Sequence, residues 1–360
     1  MKVLIVYKKF NEIGGSELQL SILINALIHN GNEIQLFTTN FNNKLFNNID
    51  INRIDLIIKR NLFFPLFRII SRLNPSLIFT RDTRHLYKYI LISKLFKIPV
   101  VYNVNQNISL LPQNFFQLIR QILPDTLKLS FPYWALEGFF SIKTLKFVDA
   151  IITQTYDQSA YLKKRGIYST MIRNSIVINN NKYIKPNKKI VVWVANIKKM
   201  KNIEDFIKLS HFINEHLEFV CVGRLPGNSQ YRATIENLIK TSQVQYKGEL
   251  SYNETAELIS RSYILVNTSY NEGFPNTFIQ AWSFGVPVIS LNIDPDKIIM
   301  QNKIGLFSGT FEKMVDDTLF LINNKEEWGK MSLNAYQFAR SNFDIKENLK
   351  SYIKVFNSVI

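Results

Sequence analysis

The sequence predicts an α/β protein made of two doubly wound, Rossmann-like domains. Three observations carry that expectation. The chain has 360 residues, more than one hydrophobic core usually organises. Short apolar strand-like runs alternate with segments of helical periodicity in two series, the pattern of parallel sheets with crossover helices. A polar stretch, Asn179–Lys189, separates the two series. Domains are therefore expected at residues 1–182 and 183–335, with residues 336–360 forming a C-terminal helix that packs back toward the first domain.

The first series opens with Val3–Tyr7 as a strand. Ser16 and Gln19 have capping-box spacing, and Leu18, Ile22, Leu23, Ala26 and Leu27 follow at helical intervals until Gly31. Glu33–Thr38 resumes as a strand, which makes a βαβ unit. Ser76–Thr80, Ile98–Asn103 and Ala150–Gln154 read as further strands, with Leu86–Phe96 as a helix. Pro99 stands at a strand start, where its missing N–H is tolerated. In the second series the strands are Ile190–Ala195, Glu218–Gly223, Gln243–Tyr246, Ile264–Asn267 and Pro287–Leu291. Helical segments lie between them at Ile203–Glu215, Gln230–Thr241, Asn253–Ser262 and Thr277–Phe284, and Trp328–Val359 closes the chain.

Composition narrows the function classes. An apolar share of 46% and a charged share of 20% are ordinary for a globular protein. One cysteine, Cys221, precludes an internal disulfide, and its place in the strand-like run Glu218–Gly223 makes it a buried structural thiol. Lys2 leads directly into a strand without a signal pattern, and no apolar run reaches the ~18–20 residues of a membrane span. A cytoplasmic protein is expected. The net charge of +16 is uneven: residues 1–185 hold 24 Lys/Arg against 10 Asp/Glu, residues 186–360 hold 20 against 18. A solvated basic surface, an anionic membrane and a phosphate-bearing acceptor all fit that excess. Asn61–Leu73 and Asn114–Leu123 mix bulky apolar residues with Arg68, Arg72 and Arg120. They fit core-facing helices or peripheral segments on the inner face of a membrane. No recognition-helix, zinc or aromatic-platform motif supports a nucleic-acid partner.

Chemistry is expected where strands end, because open α/β sheets bind ligands at the carboxyl ends of their strands. The most informative exit is Tyr270–Val288. A strand ends at Thr268, a loop carries Glu272, Gly273, Phe274 and Pro275, and a helix starts near Asn276–Thr277. Helix N–H groups and the positive dipole end there suit a diphosphate. Glu272 stands where a carboxylate accepts from sugar hydroxyls, and Gln280 lies one turn inside the helix.

Glu272-Gly273-Phe274 followed by Gln280, Ala281, Gly285, Pro287 and Val288 resembles the EGF…EAxxxGxPV signature of GT-B glycosyltransferases of family 4, the glycosyl transferases group 1 domain. The resemblance implies the GT-B architecture, two Rossmann-like domains facing across a cleft. It also implies transfer of a hexose-type sugar from a nucleotide-diphosphate sugar to a glycan or lipid-linked glycan, with retention and without a metal, in polysaccharide or lipopolysaccharide biosynthesis. The signature's first acid, which contacts the donor sugar, matches Glu272. Gln280 replaces the second, which holds the ribose, and an amide does so without charge assistance.

By the same resemblance Gly15 belongs to the glycine loop after the first strand, and Lys201 is the cation that neutralises the donor diphosphate. Asn196 stands where a second cation, arginine, is usual. Arg224 and Leu250 lie near the nucleotide base, and Phe274, Asn276 and Thr277 present N–H groups to the leaving group. Asn105 occupies the place of a histidine that orients the donor sugar, and it cannot act as acid or base. His85 is an alternative, with a surface or capping role favoured. Asp294-Pro295-Asp296 mimics a metal-binding triplet, but it lies after a strand in a proline turn, and the turn is the favoured reading. The three replacements, Asn105, Asn196 and Gln280, leave open a catalytically impaired sugar-nucleotide-binding protein of the same fold.

Overall fold

The computed structural model describes residues 1–7, 9–10, 14–42, 53–59, 63–83, 85–104, 140, 143–178, 189–213, 217–227 and 230–360. Asn105 and the segment Asn114–Leu123 lie outside the described residues. The chain forms two compact units, Met1–Val177 with Ile345–Ile360, and Ile178–Asp344.

Among the described residues unit 1 has nine strands: β1 (Lys2–Val6), β2 (Lys9–Phe10), β3 (Glu33–Thr38), β4 (Asn40–Phe41), β5 (Ile54–Ile58), β6 (Leu77–Thr80), β7 (Val100–Asn103), β8 (Ala150–Thr153) and β9 (Thr170–Met171). Seven make one parallel sheet in the order β5-β3-β1-β6-β7-β8-β9, while β2 and β4 pair separately. Successive side chains of a strand point to opposite faces, and β1 shows both faces covered. Val3 and Ile5 join Leu20, Leu23, Ile24 and Leu27 of the Gly15–His29 helix, together with Tyr352 and Phe356. Leu4 and Val6 join Leu66, Ile70, Tyr89 and Ile92 on the other side. Helices on both faces are what allow a parallel strand to read as an unbroken apolar run.

Unit 2 repeats the plan with β10 (Ile190–Val194), β11 (Glu218–Val222), β12 (Gln245–Tyr246), β13 (Ile264–Asn267), β14 (Val288–Ser290) and β15 (Gly305–Phe307). All six are parallel, in the order β12-β11-β10-β13-β14-β15. Trp193 and Phe206 lie in its core, and Tyr263 stacks on Trp328 at 4.4 Å.

Four expectations are corrected. The C-terminal segment is two helices, Lys325–Phe343 and Ile345–Asn357, and the return to unit 1 starts at Ile345 rather than 336. The longer helix stays in unit 2 because Trp328, Ala335, Ala339 and Phe343 are buried there, with Phe343 stacked on Trp282. The Ser16–Gln19 capping box does not form. The helix begins at Gly15, and the Gln19 amide instead bonds the backbone of Ser175 in both directions, at 2.8 and 2.6 Å. A capping box forms at Ser251 and Glu254, heading the Tyr252–Ser260 helix. His85 is neither at the surface nor a side-chain cap: it is 4% exposed, with Nδ1 2.9 Å from Asp82 Oδ2.

Candidate functional site

In unit 2 the strand order reverses between β10 and β13, the switch point at which open α/β sheets bind ligands. Lys201 lies beyond the end of β10 and Glu272 beyond the end of β13. The structure brings them together: Lys201 Nζ is 2.6 Å from Glu272 Oε1, with side chains 25% and 16% exposed.

Both are placed by backbone anchors. The turn Lys199–Lys201 is held to the β13 exit, since Tyr270 N–H donates to Met200 O at 3.0 Å. Thr268, fully buried, ties the layers. Its hydroxyl donates to Asn202 O at 2.5 Å, lies 3.0 Å from Lys201 O, and accepts from Trp193 Nε1 at 3.0 Å. Glu272 is fixed in turn by Ser269 Oγ at 2.8 Å and by Asn267 Nδ2 at 3.4 Å, both donating to Oε1. No sequence motif marks these supports. The polar triplet Asn267-Thr268-Ser269 at the end of an apolar strand was the available signal.

The helix after the loop spans Asn276–Ser283, and its N-cap Pro275 supplies no side-chain hydrogen bond to the first turn. That end of the helix carries positive dipole potential. Phe274, whose ring meets Trp282 and Phe343 edge-on, pins the loop into the core. Gly273, Asn276 and Thr277 are half-buried around it. Gln280, 6% exposed, leaves its Nε2 without a partner. A buried amide N–H₂ that finds no acceptor is costly, and a ligand hydroxyl would satisfy it.

Asn196 and Arg224 flank the adjoining exits of β10 and β11, where Ile197 N–H donates to Arg224 O at 2.9 Å. The exits approach so closely that a Cβ on Gly223, at φ +148°, would fall 1.8 Å from Ala195 O. Only glycine accepts that conformation and that space. The exit of β12 joins them: Gly223 N–H donates to Gly248 O at 2.9 Å and Tyr246 OH to Gly223 O at 2.8 Å, with Leu250 half-buried just beyond. Gly15 is the first residue of its helix in unit 1.

Two other expectations resolve locally. Asp294 accepts from the N–H groups of Ile299 (2.8 Å) and Met300 (3.4 Å), at the start of the Ile298–Asn302 helix, and its neighbours Pro295–Lys297 form a helical turn. Burial pushes its carboxyl above the usual range. Cys221 is fully buried, and burial raises its thiol to about 12.

The family model of the glycosyl transferases group 1 matches residues 177–338. The Alpha-galactosylglucosyldiacylglycerol synthase of Streptococcus pneumoniae is 27% identical over 147 residues, 39% of this chain and 37% of that protein. The N,N'-diacetylbacillosaminyl-diphospho-undecaprenol alpha-1,3-N-acetylgalactosaminyltransferase of Campylobacter jejuni is 25% identical over 324 residues, 83% of this chain and 81% of that protein. Matches to the curated relatives are thus mostly partial, and the first spans well under half of its relative. Among solved structures, Anabaena Alr3699/HepE in complex with UDP and glucose superimposes with a TM-score of 0.78 at 15% identity, covering 99% of this chain and all of that one. That likeness is one of fold: two parallel-sheet Rossmann-like domains, shared with GT-B glycosyltransferases. The Lys201–Glu272 pair and the helix that begins at Asn276 fall inside residues 177–338, the stretch that the glycosyl transferases group 1 model matches.

Proposed function

We propose that the protein moves a hexose-type sugar from a nucleotide-diphosphate sugar to a glycan or lipid-linked glycan acceptor, with retention of anomeric configuration, in the synthesis of a cell-surface polysaccharide or lipopolysaccharide. The observation that carries the reading is the Lys201–Glu272 pair at the switch point of unit 2, beside a helix N-terminus and a buried unpartnered amide. Lys201 and the N–H groups around Phe274–Thr277 take the charge of the departing diphosphate, which is the main electrostatic task in such a transfer. Glu272 accepts hydrogen bonds from the donor sugar, and Gln280 holds the ribose hydroxyls. Arg224 and Leu250 border the base, and Asn196, Gly15 and Asn105 complete the assignment. No side chain is assigned as a general base, and no metal cofactor is called for.

The test is a panel of UDP-, GDP- and ADP-sugars, scored by thermal stabilisation and by nucleotide release with a lipid-linked glycan, with and without EDTA. One donor that stabilises the protein and is turned over, with Glu272→Gln abolishing turnover, is the expected result. Tight binding without turnover would replace the enzyme with a sugar-nucleotide-binding protein, the reading that Asn196 and Gln280 favour. Loss of turnover in EDTA would restore a metal to the site.

A peripheral position on an anionic membrane is part of the proposal. The Phe63–Leu73 helix exposes Phe64 (73%) and Phe67 (45%) beside exposed Arg68 and Arg72, an apolar face with cations at its edge. Among the described residues no helix is long and apolar enough to cross a membrane. Co-sedimentation with anionic vesicles at low salt and release at high salt is expected. No sedimentation at low salt would refute it.

A further inference from the structure

Unit 1 has a switch point of its own, between β1 and β6. The first residue after β6 is Arg81, which is 3% exposed. Its guanidinium carries five N–H donors, and one acceptor meets it, Asn174 Oδ1 at 3.3 Å from Nη2. Arg81 Nε is buried without a partner. Among the described residues no carboxylate lies within ion-pair distance of it. The adjacent Asp82 is turned to His85 Nδ1 and Tyr89 OH, each at 2.9 Å. Glu17, the acid whose field reaches Arg81, has its Oε1 bound by Tyr7 OH at 2.9 Å. Burial pushes the guanidinium below its ordinary range.

A buried cation with no carboxylate in contact opposes folding, so a chain that keeps one gains something by it. The position names the gain. Arg81 is at the carboxyl edge of the sheet where strand order reverses. The first turns of the Gly15–His29 helix reach the same spot, because Gln19 is bonded to Ser175 and Arg81 to its neighbour Asn174. Asn103 at the end of β7, also buried, has an unpartnered Oδ1 while its Nδ2 donates to Tyr352 OH at 2.7 Å. A planar fork of donors with an uncommitted acceptor close by suits an oxyanion that also carries a hydroxyl.

We propose that unit 1 binds a phosphate group at Arg81, with Asn174 orienting the guanidinium. The phosphate belongs to a phosphorylated acceptor. The inference rests on unit 1 alone and stands apart from the donor assignment in unit 2.

The experiment titrates inorganic phosphate into the full chain by calorimetry at constant ionic strength against chloride, alone and with saturating UDP. Wild type is expected to bind phosphate, and Arg81→Gln to bind it about ten- to a hundredfold more weakly, the range for one charge-assisted contact. Asn174→Asp serves as the second variant, because it sets a carboxylate against Arg81 with almost no change in shape. It is expected to weaken phosphate binding to a similar extent while raising the melting temperature. Phosphate binding retained beside UDP marks an acceptor group as the source. Phosphate excluded by UDP, with UDP itself weakened by Arg81→Gln, overturns the proposal, because Arg81 then serves the nucleotide and not an acceptor. No phosphate binding by wild type, or equal binding by wild type and Asn174→Asp, overturns the proposal. UDP binding to Lys201→Met and to wild type is read separately, so failure of the donor reading and failure of this one are distinguishable.

Discussion

Replacing Thr268 by valine removes one hydroxyl at nearly constant volume and strikes the joint on which the unit 2 site rests. In the native chain that oxygen accepts from Trp193 Nε1 and donates to the carbonyl of Asn202, close to that of Lys201. Trp193 is 2% exposed and Thr268 fully buried, so water does not replace the lost partner. A buried donor left unsatisfied costs about 1–3 kcal/mol, and the orphaned carbonyl adds about 0.5–1.5 kcal/mol. The variant should therefore be less stable by roughly 1.5–4.5 kcal/mol. Urea unfolding followed by tryptophan fluorescence reads this well, since three of the four tryptophans, Trp193, Trp282 and Trp328, lie in unit 2. The turn Lys199–Lys201 loses an anchor as well, so UDP affinity should drop by about tenfold, the worth of one well-placed contact. A stability change below about 0.5 kcal/mol, the scale of an ordinary surface substitution, together with unchanged UDP affinity, would refute the reasoning.

Three further outcomes follow from single positions. Gln280→Glu should lower the melting temperature in buffer, because it buries a carboxylate where the amide already lacks a partner. It should strengthen UDP binding about five- to tenfold through charge-assisted bonds to the ribose, and equal or weaker binding would reject the ribose assignment. Gly223→Ala should unfold unit 2 or sharply lower its melting temperature, since Cβ would lie 1.8 Å from a backbone oxygen at φ +148°; a melt by circular dichroism within a degree of wild type would reject this. Cys221, with its thiol raised to about 12 by burial, should resist a thiol-specific disulfide reagent at pH 8 until the chain unfolds. The raised thiol gives a stability contribution fully present below the unfolded thiol's pKa and lost as pH rises toward 12. Wild type should thus lose more stability than Cys221→Ala between pH 8 and 10, and parallel pH curves would reject the assignment.

The strands were legible because a parallel sheet covered on both faces leaves short unbroken apolar runs, as in Val3–Val6 and Ile190–Trp193. What stayed hidden has physical causes. Strand β15, Gly305–Phe307, is only three residues long and begins with a glycine, at φ +154°, pressed against the backbone of Val288. Its register comes from β14, not from local propensity. Gln19 carries capping-box spacing, yet Ser175, 156 positions away in the chain, takes its side chain. Local pattern does not register a competitor that tertiary structure delivers. The same limit applied to the site. Glu272 and Gln280 stood out through the residues around them, whereas Thr268 acts by touching groups from another strand exit and Ser269 by holding the Glu272 carboxylate within its own loop. Arg81 was one cation among 24 in residues 1–185; burial, which sequence does not report, is what separates it from the rest.

The Lys201–Glu272 pair also constrains how a donor would settle. Both groups are partly buried, where breaking a pair without replacement is costly. A diphosphate drawn to Lys201 competes with Glu272 for the ammonium, and the carboxylate it displaces needs new donors. Ser269 and Asn267 remain on Oε1, and sugar hydroxyls supply the rest. One event therefore exchanges both partners: phosphate for carboxylate on the lysine, hydroxyls for ammonium on the glutamate. A nucleotide diphosphate lacking its sugar completes only the first half. Its affinity should accordingly depend less on Glu272 than that of the intact nucleotide sugar does. Glu272→Gln, which weakens the hold on Lys201 and keeps the shape of the side chain, should leave UDP binding equal or tighter while weakening the matched UDP-sugar. If Glu272→Gln weakens both ligands to the same degree, Glu272 supports the loop and does not contact the sugar.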